Sequence, residues 1–510
     1  MTDVTAFPDW LANRAASTPD RDALVAGDKT WTFGALDRHA TITSRRLAAL
    51  GVREGDRVAT LLDNGFAAAL LPHATLRLGA TLVPLNVRLS DAEIAWQLAD
   101  AKPRLLVSDG RTLARIAETL EDNRALVIVK VDSDEAHMPR IRQLDSVDQI
   151  DAPVRLEHPS ESVLAIIYTS GTTGQPKGVM LTVGNFWWSA VGSTLNLGTN
   201  TDDRWLACLP LFHVGGLSIL MRSVIYGTIV VVHERFDAKA VNAAIDDNRV
   251  TTVSVVAVML QRMLDARSDA PYPRALRCVL VGGGPVPTSL LERCASVGVP
   301  VVQTYGLTEA CSQVVTLSPD DAGRRHGSAG KVLYPNQIRI ASFGDRDPVP
   351  GEEGEILVRG PIVMAGYAGR PDDTSTAIVN GWLHTGDVGR IDADGFLYVL
   401  DRRDDLIVTG GENVYPAEVE AALLAHPSVE EACVVGVADA AWGQRVVAIV
   451  RMAAESHEAE VNGSVLMAHC RTRLAGYKVP GEIVFVTAPL PRTASGKLRR
   501  ASLRDSIALD

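Results

Sequence analysis

Short apolar runs alternate with stretches of helical period along most of the chain. Residues 57–62 (RVATLL) read as a buried strand, 66–78 as an Ala/Leu-rich helix and 81–84 as a second strand. Residues 105–108, 163–168, 229–232, 251–256 and 278–282 repeat the strand pattern. Strands this short and apolar, separated by helices, predict parallel sheets covered on both faces. Ser90-Asp91-Ala92-Glu93 and Pro287-Thr288 mark helix starts. No fixed-period repeat or low-complexity tract interrupts the alternation.

The texture changes after about residue 330. Turn pairs crowd together (Pro350-Gly351, Glu353-Gly354, Gly360-Pro361, Asn380-Gly381, Asp394-Gly395), with alternating runs at 355–358 and 396–400 between them. This predicts a small antiparallel, β-barrel-like unit. The charged run Asp401-Arg402-Arg403-Asp404-Asp405 follows, then an amphipathic helix at 416–424 and strands at 432–437 and 446–451. The expected fold is α/β. A large N-terminal domain, residues 1–402, combines parallel-rich sheets, helices and the small β unit. A small mobile α+β C-terminal domain, residues 403–510, is hinged at the charged run.

At 510 residues the chain exceeds what one simple core supports. Its net charge of -11 argues against a nucleic-acid backbone as main partner, while leaving room for a local cationic site. The beginning, MTDVTAFPDWLANRAA, carries early acids and no apolar run with a cleavage site, and the longest apolar stretches are strand-length. Six scattered cysteines form no CxxC pair. These features lead us to expect a cytoplasmic protein without membrane insertion; a homodimer is compatible with them.

The candidate chemistry begins at Tyr168-Thr169-Ser170-Gly171-Thr172-Thr173-Gly174-Gln175-Pro176-Lys177-Gly178, directly after the strand at 163–168. Glycines let backbone N–H groups converge on an anion, hydroxyls add donors and Lys177 adds a point charge. A polyphosphate needs all three. The common nucleotide loop requires Gly-Lys-Ser/Thr, and here Pro176 stands in place of that glycine. Three glycines alone would equally suit a surface turn; the whole string favours a phosphate cradle.

The string resembles the signature of the acyl-adenylate-forming superfamily of acyl-CoA synthetases, peptide-synthetase adenylation domains and firefly-type luciferases. The likeness recurs in order at Leu209-Pro210-Leu211-Phe212-His213, Gly282-Gly283-Gly284, Tyr305-Gly306-Leu307-Thr308-Glu309, Gly381-Trp382-Leu383-His384-Thr385-Gly386-Asp387, Asp401-Arg402-Arg403-Asp404 and Pro491-Arg492-Thr493-Ala494-Ser495-Gly496-Lys497. It implies ATP, Mg2+ and coenzyme A as ligands.

Attack of a carboxylate on the ATP α-phosphate brings two anions together, so the site must supply positive charge. Lys497, after the flexible Ser495-Gly496, is the candidate, and the resemblance implies that it contacts both reacting groups. Outside this pattern it would read as a solvated lysine beside Arg499 and Arg500. Glu309 suits Mg2+, a hard cation, with Thr169 as a second ligand. Thr308 is assigned to the α-phosphate, Tyr305 to the adenine face, and Asp387 and Arg402 to the ribose. Gly283 and Gly284 would let the nucleotide approach the backbone. Each of these also has an ordinary reading as a turn residue. The resemblance further implies an acyl-pocket gate at His213, a hinge at Asp404 and a thiol tunnel lined by residues 410–413, with Gly411 among them.

Within the superfamily, stretches at 196–198, 210–216 with Ser218, 222–227, 311–319, 327–331, 400–403 and 410–416 look close to the o-succinylbenzoate–CoA ligases of menaquinone synthesis. Such an acid is an aromatic dianion, and adenylation neutralises only one carboxylate. Ser312, Gln313 and Ser328 supply polar groups near the nucleotide motif and Arg222 supplies charge; a fatty acid would need none of these. An alternative is that Arg222 lies on a helix surface and Ser312 and Gln313 satisfy backbone groups. Rival functions are a CoA ligase for another aryl, short- or medium-chain acid, transfer to a carrier-protein thiol, luciferase-type oxygenation and an inactive nucleotide-binding paralogue.

Overall fold

The apolar runs become strands close to where the pattern puts them. In the computed structural model, Arg57–Leu61, Thr81–Pro84, Leu105–Ser108 and Ile229–Val232 are strands, fully or nearly fully buried, and Ser90 caps the helix Asp91–Ala101 through a reciprocal capping box with Glu93. The structure describes residues 5–121, 126–131, 142–169, 176–247, 249–268, 270–284, 286–325, 327–342, 349–402, 405, 407–409, 412–414, 416–439, 442–453, 461–474, 476–492 and 498–507.

Two large sheets dominate these residues. One is eight-stranded, the other nine-stranded. Their central pairs are parallel (Arg57–Leu61 with Thr81–Pro84; Cys278–Val281 with Val301–Leu307), and antiparallel strands are added at the edges. One apolar cluster, running from Trp10 to Leu397, joins them. Each fully buried Leu or Phe in it contributes about 2–3 kcal/mol.

Two predicted bounds shift for identifiable reasons. The helix at 66–78 closes at Leu76 because Arg77 turns inward. Its guanidinium pairs with Asp9 at 2.9 Å and Asp37 at 2.5 Å, and is 1% exposed. Asp9 also caps the helix Trp10–Ser17 and lies 3.2 Å from His158 Nε2. The strand at 251–256 shortens to Thr252–Val255, since the Thr251 hydroxyl donates to Asp203 at 2.8 Å.

The turn-rich region forms a five-stranded antiparallel sheet. Its long strand Trp382–Ile391 pairs with Glu353–Arg359, Ile378–Val379 and Leu397–Arg402. Among the described residues, Leu397–Arg402 joins that strand off the path of the other four. A last five-stranded sheet takes all its strands from residues 407–486, and its two apolar clusters include nothing before Ile407. The helix Pro416–Leu424 packs on its strand Val429–Asp439.

Candidate active site

The two ends of the string at 168–178 lie in paired strands. Strand Val163–Thr169 runs antiparallel to Lys177–Thr182, with Thr169 opposite Lys177. Ser170, Gly171, Thr172, Thr173 and Gly174 lie outside the described residues. The strand pair is anchored beside these residues. The Tyr168 hydroxyl donates to Asp100 at 2.7 Å, and Arg370 reaches the same carboxylate at 3.2 Å. Burial, then this carboxylate, push the Tyr168 phenol up, so it stays a neutral donor. Lys177 Nζ pairs with Asp373 at 2.6 Å and sits 5.2 Å above the Tyr367 ring. The Tyr367 hydroxyl in turn donates to Glu309 at 3.2 Å. One short segment, Tyr367 to Asp373, thus links Lys177 to Glu309.

Glu309 and Thr308 form a 3-10 turn between strand Val301–Leu307 and strand Ser312–Thr316. The crossing there is tight. A Cβ on Gly306 would fall 1.5 Å from the Ser312 carbonyl oxygen. Cys311 and Ser312 both take positive φ, 48° and 87°. Two adjacent non-glycine residues in that region cost on the order of 1–3 kcal/mol each and gather at functional sites.

Tyr305 is buried, and its hydroxyl donates to Asp387 at 2.8 Å. Arg402 stands opposite Asp387 in the neighbouring strand. The glycines at 282–284 follow strand Cys278–Val281, whose Val281 pairs with Gln303. Gly282 faces Thr304, whose Cγ2 a Cβ would meet at 2.8 Å; Gly283 has φ +82°; a Cβ on Gly284 would meet nothing within 4 Å. Gly284 and Tyr305 therefore leave the carboxyl ends of adjacent parallel strands, where open α/β sheets bind ligands.

Beneath this rim lies a buried cation. His213 caps the helix Val214–Tyr226, its ring edge-on to Phe212 at 4.7 Å. Two turns on, Arg222 is 2% exposed, and no carboxylate among the described residues lies within ion-pair distance of it. Its NH2 donates to the Ser189 hydroxyl at 3.1 Å, and Ser189 donates to the Cys311 carbonyl at 2.7 Å. The guanidinium sits 5.7 Å from the Trp205 ring. Burial pulls its pKa down. Ser218, on the same helix face, and both amide ends of Gln313 are buried without partners among the described residues. Such groups cost several kcal/mol unless something polar joins them. Ser328 is differently employed. Its hydroxyl donates to the Leu397 carbonyl and accepts from Gly330 N–H.

Lys497, Asp404 and Gly411 lie outside the described residues. Among those described, no cluster of three His, Cys, Asp or Glu side chains is placed to hold a metal. The single carboxylate of Glu309 would suit Mg2+, a hard cation that prefers oxygen ligands. Sequence reasoning missed Tyr367, Asp373, Asp100 and Ser189. Pro371-Asp372-Asp373 signals a helix start, with Pro in the first turn, yet nothing in it points to Lys177.

The AMP-binding enzyme family matches residues 11–368, and the AMP-binding enzyme C-terminal domain matches residues 418–497. The chain is 49% identical over 505 residues, 99% of each protein, to the 2-succinylbenzoate–CoA ligase of Geobacillus kaustophilus. It resembles the o-succinylbenzoate CoA synthetase of Bacillus subtilis in complex with its acyl-adenylate intermediate, with 42% identity, a TM-score of 0.89 and coverage of 98% of this chain and 99% of that one. The same synthetase with ATP and magnesium gives 42% identity, a TM-score of 0.88 and coverage of 98% and 100%. The chain belongs to the AMP-binding enzyme family.

Proposed function

We propose that this chain is an acid–thiol ligase that joins 2-succinylbenzoate to coenzyme A through an acyl-adenylate, using ATP and Mg2+. In the first step a carboxylate oxygen attacks the α-phosphorus, the bond to the β-phosphate breaks and pyrophosphate leaves. In the second the CoA sulfur attacks the acyl carbon, the acyl–oxygen bond breaks and AMP leaves. Bound with the triphosphate, Mg2+ neutralises charge on the phosphate oxygens.

The chain's own groups divide the work. Residues 169–177 cradle the phosphates, Glu309 and Thr169 orient the metal, and Thr308 donates to the α-phosphate. Asp387, Arg402 and Tyr305 hold the nucleoside. Lys497 bridges the two anions, delivered by a C-terminal domain (403–510) that swings at Asp404 and later presents Gly411 to the thiol. His213 gates the acyl pocket.

The observation that carries the choice of acid is Arg222, a buried guanidinium with no carboxylate partner among the described residues. A dianionic acid brings that carboxylate; a monoacid does not. Ser218 and Gln313 offer the remaining polar contacts. The test is to esterify the carboxylate that is not activated. The KM for the ester is expected to exceed that for the diacid by tenfold or more (about 1.5–3 kcal/mol) in the parent protein. The two values should converge in Arg222→Met. Equal KM values in the parent would refute the pairing.

No helix among the described residues is long and apolar enough to cross a membrane. A cytoplasmic location and a homodimer complete the proposal; sedimentation at micromolar concentration tests the latter, and a monomer would remove it.

A further inference from the structure

The residues on either side of 493–497 form a short stem. Arg492 and Leu498 form an antiparallel bridge, and Arg499 N–H donates to the Pro491 carbonyl at 2.9 Å. The stem belongs to no sheet, so side chains must fix it. On the incoming side, Glu431 accepts from Leu490 N–H at 3.1 Å, Arg492 at 2.9 Å and Arg451 at 2.7 Å. On the outgoing side stands Arg500. Its fork meets Glu420 at 3.2 and 2.7 Å, and its remaining nitrogen reaches Asp405 at 3.3 Å.

This placement is not explained by helix stability. Arg500 opens the helix Arg500–Ile507, the end where a cation opposes the macrodipole. Glu420 is 7% exposed and also accepts from Val434 N–H at 2.8 Å, so the carboxylate is fixed before Arg500 meets it. Asp405 directly follows the position where the sequence puts the hinge. A planar fork gripping two carboxylates gives orientation that a point charge does not.

We propose that Arg500 is a positioning residue for the adenylation step. Its bidentate contact with Glu420 and its contact with Asp405 hold the residues just after Lys497 at a fixed offset from the segment after the hinge. Lys497 then arrives in register when the C-terminal domain closes. This rests on the reading that Lys497 serves adenylation.

The experiment separates the half-reactions. Adenylation is followed by ATP–pyrophosphate exchange, and thioester formation by adding CoA to preformed acyl-adenylate. Arg500→Ala is expected to lower the exchange kcat by one to two orders of magnitude. KM for ATP and the thioester rate should stay within about twofold, and Arg500→Lys should recover only part of the loss. Adding Arg500→Ala to Lys497→Ala should cost nothing further, because the arginine acts through the lysine. Equal losses in both half-reactions, or additive losses in the double variant, would overturn the inference. Where Arg500→Ala does not fold, Arg500→Lys and Asp405→Asn carry the same comparison. If Lys497→Ala itself leaves exchange intact, the reading of Lys497 fails; if only the Arg500 variants leave it intact, that reading stands and this one falls.

Discussion

The Tyr305 hydroxyl donates to the Asp387 carboxylate at 2.8 Å, tying a strand of the nine-stranded sheet to the antiparallel sheet that follows it. Both residues are buried, so the bond fixes where the carboxylate points. Tyr305→Phe keeps the ring and removes this donor. We expect KM for ATP to rise about 5- to 30-fold, corresponding to roughly 1–2 kcal/mol, with little change in the KM for the acid. Steady-state kinetics with each substrate varied in turn checks this; an unchanged ATP KM would show that the bond does not orient the nucleotide site.

Arg222 predicts opposite effects on stability and activity. A buried guanidinium that meets no carboxylate among the described residues costs stability until a ligand supplies one. Arg222→Met should therefore hold or raise the melting temperature while raising the KM for 2-succinylbenzoate by more than tenfold, or about 1.5–3 kcal/mol. Calorimetry and kinetics on the same preparation decide it. A variant that is both less stable and fully active would contradict the assignment.

The neighbouring glycines give a contrast. Gly282→Ala would drive a Cβ to 2.8 Å from Thr304 Cγ2, so a loss of stability is expected. Gly284→Ala meets nothing within 4 Å and should fold normally. If the nucleotide passes over Gly284, that variant alone should combine an unchanged melting temperature with a raised ATP KM.

Much of this was legible in the sequence, for local reasons. Strand and helix signals act within a few residues, and the capping box at Ser90 and Glu93 spans three. The nucleotide motif announced Tyr305, Glu309 and Asp387 through their own neighbours. The partners of those residues were not legible. Lys177 and Asp373 stand 196 residues apart and meet only because the strand Gly366–Tyr367 adds to the edge of strand Lys177–Thr182. The sequence left open a surface-helix reading of Arg222; the packing of the helices Val183–Leu197 and Val214–Tyr226 buries it against Ser189.

The same long-range packing sets an acid sensitivity. His73 lies beside the Asp9–Arg77–His158 cluster, and burial first, then Arg77 and His158, lower its pKa from 6.5 to about 4 against the pull of Asp9. The unfolded chain takes up this proton first. Stability from His73 is thus complete above about pH 6.5 and is lost as pH falls toward 4, on the order of 3 kcal/mol in all. Asp9 is held well below the usual carboxylate range by His158 and Arg77, against desolvation, and its contribution is lost only in stronger acid. Melting temperatures across pH 7 to 4 should fall less steeply in His73→Gln than in the parent. Parallel curves would remove His73 as the cause.

The central claim is tested most directly by incubating the protein with ATP, Mg2+, CoA and a panel of carboxylic acids while following AMP and thioester. Stoichiometric AMP and acyl-CoA are expected with 2-succinylbenzoate, and at most a small fraction of that rate with benzoate, short-chain and fatty acids. AMP formed equally well with the monoacids, or with none of the panel, would contradict it.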